Sequence, residues 1–299
     1  MADTTSRRRG NRLGLWFFRV FLSLFGLSGA YGLLYFVCLY YMVFDKAAFS
    51  SIMAYIKRRF KGQGLFGRLL GVYRILINQG KNLIDRYYII SGQGKFDTEL
   101  LGYDKISNFL KNSNKGLIIL TAHVGNWQVT MTALEEMGRT VHLLMRPEDN
   151  LAVRDTLNVG GETGKVRVIS TDGFLGGSVE CVNAINRGEI VSIMGDRSYG
   201  ANSVEVEFLG GHVKFPYGAF SIAASTGCPV VALLSAKVSA KKYVAEVAKV
   251  IIPQYSLKST RQQNIRGWVQ EFADALERYV EDHPYQWFVF YNIWEREEC

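Results

Sequence analysis

The stretch GLIILTAHVGNWQVTMT, residues 116–132, predicts where the fold of this chain and its chemistry meet. Residues 117–120 are an apolar run typical of a buried strand, and residues 129–137 have the composition of a following helix. His123 therefore falls in the turn between them. In an open α/β sheet, ligands and catalytic groups collect in such turns at the carboxyl ends of strands. Because imidazole titrates near neutral pH, His123 is the first candidate for a functional side chain.

Beyond Asp97, predicted strands alternate with predicted helices. We expect strands at 141–145, 166–170, 190–194, 204–208, 212–215, 229–236 and 242–250, and helices at 149–158, 178–186, 217–225 and 260–282. This alternation predicts an α/β fold with a mixed central sheet and helices on both faces.

Composition narrows the class of protein further. With 299 residues, 48% hydrophobic and 21% charged, the chain is long enough for one large α/β domain with an appendage and is too apolar to be disordered. Its four cysteines are widely spaced and form no CxxC pair, which argues against a disulfide framework or a zinc site. The sequence suggests no metal or redox cofactor.

An apolar segment precedes this domain. Residues 20–44 contain no charged side chain, and 25 residues exceed the length needed to span a bilayer core. No small-residue cleavage site follows, so we expect the segment to be retained as a membrane anchor. Two alternatives remain open at this stage. It could be a buried helix of a soluble domain, or its small residues near Gly26 could break it into a re-entrant or monotopic pair.

The positive charge is concentrated at the amino terminus. Residues 1–74 contain 12 Lys/Arg and 2 Asp/Glu, whereas the remainder contains 23 and 25. This basic quarter surrounds the apolar segment, which favours an anionic membrane surface over nucleic acid as the partner. Residues 45–91 are expected to be helical and amphipathic, divided by the glycines at 62, 64 and 67. Their cationic face suits lipid phosphates or an acidic carrier protein, or is an ordinary solvated face. The predicted divisions are an anchor at 1–45, a membrane-proximal region at 46–96 and an α/β domain at 97–299.

Three polar stretches follow predicted strands: HVGNWQ at 123–128, MGDRSYG at 194–200 and FLGGHVKFPYGA at 208–219. Their positions predict a single cleft. There His123 would take a proton from a hydroxyl or amine, which would then attack an activated acyl carbon. Such a base needs a carboxylate or amide to fix its tautomer, and the developing oxyanion needs hydrogen-bond donors. A soluble esterase is disfavoured because the chain has no GxSxG motif.

These stretches, with FSIAASTGCPVV after the third and HPYQWFVFYNIW at 283–294, resemble the bacterial lipid A late acyltransferases of the lauroyl and myristoyl type. That family is related to the lysophospholipid acyltransferases. The resemblance implies a glycerolipid acyltransferase-like fold and transfer of a fatty acyl chain from acyl carrier protein or coenzyme A to a lipid hydroxyl. It also implies a domain on the cytoplasmic face of the bacterial inner membrane, with the lipid acceptor in that membrane.

The family pattern is a histidine, four intervening residues and then an acid. His123 matches as general base, but Gln128 stands at the acidic position. Glutamine accepts a hydrogen bond from imidazole without stabilising imidazolium by charge. Asp196, after a neighbouring strand, is the best substitute as the orienting group.

Other residues match family positions with a binding or shaping role. Arg146 and Arg197 would bind a phosphate or the oxyanion, or would form ordinary surface salt bridges. Gly125 and Asn126 would shape the turn, and Lys214 would lie in the acceptor-side loop. Residues 291–292 are Tyr-Asn where lipid A enzymes usually carry His-Arg. Another acceptor, such as an aryl-polyene pigment, an ornithine lipid or a glycolipid, is therefore realistic.

The leading hypothesis is a membrane-anchored acyltransferase with His123 as base, Gln128 and Asp196 as orienting groups and the arginines as anion binders. The alternative is a lipid-binding or scaffold protein that kept the fold and lost its activity together with the acid at position 128.

Overall fold

The computed structural model describes residues 12–127, 138–145, 166–172, 174–198, 202–256 and 259–294. The helices expected at 129–137 and 149–158 lie outside these residues, as do Gln128 and Arg146. Within the described part, the α-helices are α1 (Arg12–Phe44), α2 (Lys46–Arg59), α3 (Leu65–Ile90), α4 (Tyr103–Asn112), α5 (Ser178–Asn186), α6 (Gly218–Thr226) and α7 (Arg261–Asp282). The strands are β1 (Asp97–Leu101), β2 (Leu117–Thr121), β3 (Val141–Met145), β4 (Val166–Ser170), β5 (Ile190–Met194), β6 (Ser203–Phe208), β7 (Gly211–Pro216), β8 (Val230–Ser239) and β9 (Lys242–Ile251).

The central sheet is mixed, as the sequence predicts. Its seven strands have the order β1-β9-β8-β2-β5-β3-β4. The five strands from β8 to β4 run parallel to one another, and β9 pairs antiparallel with β8. All five residues of β2 are buried, because the strand lies between two neighbours with helices over the faces of the sheet. The carboxyl ends of β2, β5 and β3 therefore lie at one edge.

Two apolar clusters cover the two faces of the sheet. The larger packs residues of α2, α3, α5, α6 and α7 against one face, and the smaller packs Ile106 and Leu110 of α4 against the other. The prediction of helices on both faces is confirmed. The strand β1 and the helix α4, which the pattern did not single out, complete the domain next to β9.

The hairpin β6–β7 differs from the expectation of one shared edge. The two strands form a separate antiparallel sheet, with Lys214 opposite Glu205 in its register. The hairpin packs on α7, where the side chain of Gln270 hydrogen-bonds the backbone N–H and C=O of Glu207. Lys214 is exposed on this hairpin.

The N-terminal helices pack on one another and on the α/β domain. The helix α1 is broken at Gly26, which has φ 64° and ψ −166°, a conformation that favours glycine. Its segment Phe17–Phe44 is long and apolar enough to cross a membrane, and only 17% of its most apolar stretch is buried. That exposure disfavours the buried helix of a soluble domain. The expected break in the helical region 45–91 is present at residues 62 and 64, between α2 and α3. The prediction of a break at Gly67 is wrong, because Gly67 lies inside α3.

Candidate active site

The sheet brings His123 and Asp196 to the same edge. His123 lies two residues beyond β2 and Asp196 two residues beyond β5, and Thr121 pairs with Met194 where these parallel strands end. The backbone N–H of Gly195 donates to the Thr121 carbonyl at 2.9 Å, which extends the pairing one step further. His123 and Asp196, which are distant in sequence, therefore face each other because each lies two residues beyond a pair of residues that are opposite in neighbouring parallel strands.

The Asp196 carboxylate holds His123 at two points. His123 Nδ1 lies 2.8 Å from Oδ1, and the His123 backbone N–H donates to Oδ2 at 2.9 Å. The Asp196 side chain is fully buried, whereas the His123 side chain is 22% exposed. An ionised carboxylate accepts only, so Nδ1 carries the proton of the neutral ring and Nε2 keeps its lone pair. This is the tautomer that a general base requires.

The charges around Asp196 keep it ionised despite its burial. Burial alone would raise the pKa of this carboxyl, but attraction to the protonated form of His123, the two hydrogen bonds from His123 and the Arg197 charge hold the pKa of Asp196 well below its usual range. Its Oδ2 also accepts a hydrogen bond from Trp287 Nε1 at 3.0 Å. The carboxylate is thus fully anionic at neutral pH and can stabilise a positive charge on the imidazole.

The closing segment of the chain, residues 285–294, forms the wall behind the histidine. Phe288 N–H donates to the His123 carbonyl at 2.8 Å, and Gly125 N–H donates to the Gln286 carbonyl at 2.9 Å. Between these bonds Val124 and Trp287 form an antiparallel bridge. The segment fixes the backbone of the histidine turn and places the Trp287 indole, which is 0% exposed, against Asp196.

Gly125 allows the turn to pack directly on β8. Its φ is +56°, and a Cβ at this position would lie 2.1 Å from the Ser235 carbonyl oxygen. The Gly125 carbonyl accepts a hydrogen bond from Asn82 Nδ2 of α3 at 2.6 Å. Only glycine fits this close approach of backbone to backbone.

Three other residues predicted for the site, Asn126, Arg197 and Lys214, lie within the described part of the chain. Asn126 is buried in the same turn, with 1% of its surface exposed. Arg197 Nη2 donates to the Phe288 carbonyl at 2.8 Å, and its guanidinium lies 5.7 Å from the Tyr291 ring centre. Lys214 lies on the separate hairpin β6–β7 and not at the edge of the central sheet that carries His123.

Sequence reasoning missed Trp287, Gln286 and Asn82 as parts of the site. The motif at 283–294 was recognised only as part of a resemblance, and no local pattern pairs it with the histidine turn. A tryptophan in an aromatic-rich stretch such as 283–294 is a weak signal, because most buried tryptophans only fill a core. The hydrogen bond to Asp196, 91 residues away in sequence, requires the fold itself.

A mixed α/β sheet that carries a histidine and a buried carboxylate at the carboxyl ends of neighbouring parallel strands is typical of domains with their ligand site at that edge. The chain belongs to the bacterial lipid A biosynthesis acyltransferase family, whose model matches residues 93–296. A search among curated proteins gives no significant match. The matched range contains the whole histidine–aspartate site, and family membership supports acyl transfer to a lipid as its activity.

Proposed function

We propose that this protein is a membrane-associated acyltransferase in which His123 is the general base. It moves a fatty acyl chain from the thioester of acyl carrier protein or coenzyme A to a hydroxyl of a lipid or glycolipid. Its α/β domain lies on the cytoplasmic face of the bacterial inner membrane, with α1 as the anchor. The observation that carries this proposal is the 2.8 Å contact between His123 Nδ1 and the buried Asp196 carboxylate.

The proposed reaction is a direct transfer in two steps. His123 Nε2 removes the proton of the acceptor hydroxyl as the oxygen attacks the thioester carbonyl carbon, and a C–O bond forms. The tetrahedral intermediate then collapses, the C–S bond breaks, and the thiolate takes the proton back from the imidazolium. No covalent acyl–enzyme intermediate is needed, which agrees with the lack of a GxSxG motif.

Asp196 provides the charge that Gln128 lacks. The imidazolium formed during attack carries its Nδ1 proton towards Asp196 Oδ1, so the positive charge develops beside a full negative charge. A glutamine at the family's acidic position can then serve as a neutral hydrogen-bond acceptor. Arg146 and Arg197 remain the proposed anion binders, with Gly125 and Asn126 shaping the turn. Lys214 is proposed on the resemblance alone.

The test is to incubate the purified protein with a total lipid extract and an acyl donor whose acyl chain is isotope-labelled, either the thioester of acyl carrier protein or that of coenzyme A. The lipids are then analysed by mass spectrometry. His123→Ala should lower the transfer rate by about 10²–10⁴-fold, the usual contribution of a positioned general base. The matched control is His212→Ala, because His212 is exposed on the hairpin β6–β7. Wild-type rates in His123→Ala would overturn the proposal.

The alternative is a lipid-binding protein that has lost catalysis, and Gln128 motivates it. Under this alternative neither acyl donor yields a labelled lipid, and Gln128→Glu restores transfer by returning the acid. Under the proposal the wild-type protein transfers acyl chains, and Gln128→Glu lowers the rate because a second carboxylate disturbs a site tuned to Asp196.

A further inference from the structure

The first turn of α3 exposes two large apolar side chains. Leu65 is 70% exposed and Phe66 is 81% exposed, the highest value among the large hydrophobic residues of the described chain. They follow Gly62 and Gly64 in the short connection from α2. Because single exposed apolar residues are common on protein surfaces, their setting decides whether they have a function.

This turn lies beside the carboxyl end of α1. The two helices are antiparallel, since Tyr73 Oη donates to the Tyr35 carbonyl at 2.9 Å, and Leu34 packs where a Cβ of Gly80 would lie. This antiparallel packing places the carboxyl end of α1 and the amino end of α3 at the same end of the helix pair. The last turns of α1 also expose apolar side chains: Leu39 at 54%, Tyr40 at 58%, Val43 at 62% and Phe44 at 67%.

We call this combined surface the apolar tip: Leu39, Tyr40, Val43, Phe44, Leu65 and Phe66. It combines exposed residues of the candidate membrane helix Phe17–Phe44 with the exposed first turn of α3. Apolar and aromatic side chains grouped in this way are typical of a segment that enters the boundary between lipid headgroups and acyl chains.

The charge next to the apolar tip identifies the surface that it meets. Residues 46–84 contain eight Lys/Arg and no Asp/Glu. Lys57 and Lys61 of this set are exposed just before the α3 turn. Such cations are attracted to an anionic leaflet when they lie at its surface. A water-soluble acidic protein would satisfy the cations but would leave the aliphatic and aromatic side chains without an apolar partner.

The same region contacts the wall of the active site. The Phe60 ring stacks on Tyr285 with ring centres 5.5 Å apart, and the Arg58 guanidinium lies 4.8 Å from the Trp294 ring centre. Both aromatic partners belong to the closing segment that pairs with the histidine turn. Insertion of the apolar tip would therefore hold the site at a fixed orientation to the membrane.

We propose that Leu65 and Phe66 enter an anionic bilayer as a second attachment point beside α1, with Lys57 and Lys61 at the lipid phosphates. This inference rests on the membrane association in the proposed function. It adds a specific orientation, in which the start of α3 and the neighbouring closing segment face the lipid.

The test uses an environment-sensitive fluorophore on Phe66→Cys in the full-length chain. Cys299 is replaced by serine, and the remaining cysteines, Cys38, Cys181 and Cys228, are buried. The matched control is Ile252→Cys, because Ile252 is 63% exposed and follows β9. The end of β9 pairs with the start of β8, so it lies at the edge of the sheet opposite the one that carries His123. Both proteins are reconstituted in vesicles of phosphatidylethanolamine and phosphatidylglycerol, with and without spin-labelled lipid.

We expect the probe at position 66 to shift its emission to the blue and to be quenched by lipids labelled high on the acyl chain, and the probe at 252 to show neither effect. The double variant Lys57→Glu with Lys61→Glu should weaken the quenching at position 66. A water-like probe at 66 in protein that floats with the vesicles would overturn the inference and leave the anchor intact. Protein that does not float with the vesicles would contradict the anchor itself, and the inference with it.

Discussion

Asp196 combines full burial with an ionised carboxylate, and under the proposed function this combination supplies the charge that Gln128 lacks. Its two oxygens accept hydrogen bonds from the His123 ring, the His123 backbone and the Trp287 indole. A carboxylate with several donors keeps its charge in the interior, because each hydrogen bond replaces lost hydration. The family pattern places a negative charge five residues after the histidine. In this chain Asp196, which follows the neighbouring strand β5, can supply that charge.

Asp196→Asn tests whether the negative charge beside His123 Nδ1 is needed for acyl transfer. Asparagine keeps the size of the side chain but removes the charge, and its amide can hold the imidazole in the wrong tautomer. We expect the transfer rate to fall by about 10²–10⁴-fold, as in other histidine–carboxylate pairs, with the fold retained. Asp172→Asn is the control, because Asp172 also follows a parallel strand but is exposed. Equal rates for Asp196→Asn and the wild type would exclude Asp196 from the reaction.

The low pKa of Asp196 also predicts how stability depends on pH. A carboxyl whose folded pKa lies below its unfolded value of about 3.9 stabilises the fold above that value, and loses this contribution as the pH falls towards the folded pKa. Stability measured by denaturant unfolding should therefore decline below about pH 4. The decline should be smaller in Asp196→Asn. A pH profile unchanged by the substitution would mean that other carboxyls account for acid unfolding.

Gly125→Ala tests the packing of the histidine turn on β8. The added methyl would lie 2.1 Å from the Ser235 carbonyl oxygen, and φ at this position is +56°. We expect a loss of about 1–3 kcal/mol in stability, the cost of a residue forced into a rare backbone conformation, and a lower transfer rate. Gly267→Ala is the control inside α7, where nothing lies within 4 Å, and it should stabilise by about 0.5–1 kcal/mol. A neutral Gly125→Ala would show that the turn can move.

At the scale of elements, the predictable parts of the fold are those with a strong local pattern. The buried strands β2, β3 and β5 were predicted within one residue, because an uninterrupted apolar run between polar turns has few other interpretations. The approach of Asp196 to His123 was also expected, since parallel strands end at one edge. The pairing of Trp287 with Val124 was not, because a single bridge between distant segments leaves no periodic pattern in either one.

A buried polar cluster was equally invisible in the sequence. Asp85 of α3 is fully buried and contacts Lys237 of β8, the Tyr243 hydroxyl of β9 and the Tyr31 hydroxyl of α1. Burial raises the pKa of Asp85 and lowers that of Lys237, so desolvation opposes both charges. Such a pair contributes little net stability. It does define how the N-terminal helices dock, because any other arrangement leaves a buried charge without a partner.

Lys237→Met tests the cluster. Removing the cation leaves Asp85 buried among neutral groups, and we expect a loss of about 3–5 kcal/mol in stability. The double variant Asp85→Leu with Lys237→Met removes both charges and should recover most of this loss. Thermal unfolding in detergent micelles measures both variants. If the double variant is as unstable as the single one, the lost contact between the Lys237 ammonium and the Phe96 ring, whose centre lies 4.4 Å from Nζ, is the larger cause.

At the scale of the whole molecule, the excess of positive charge and the candidate active site lie in different parts of the chain. The basic first quarter holds α1 and the start of α3, whereas the family match begins at residue 93 and holds the histidine–aspartate pair. The closing segment connects the two, since Tyr285 contacts α2 and α3 while Trp287 contacts Asp196. Under the proposed function, an enzyme organised in this way would draw its acceptor from the membrane that holds α1.

This arrangement predicts that acyl transfer depends on where the acceptor lipid is. If the site faces the bilayer that holds α1, an acceptor in the same vesicle as the enzyme is reached by lateral diffusion. An acceptor in a separate vesicle must first cross water, at the cost of exposing its acyl chains. With the total lipid extract as the acceptor source, we expect rapid transfer when enzyme and extract share vesicles, and little when they are reconstituted apart and mixed. Equal initial rates in the two preparations would indicate a site that faces water, and fusion of the separate vesicles during the assay should restore the faster rate.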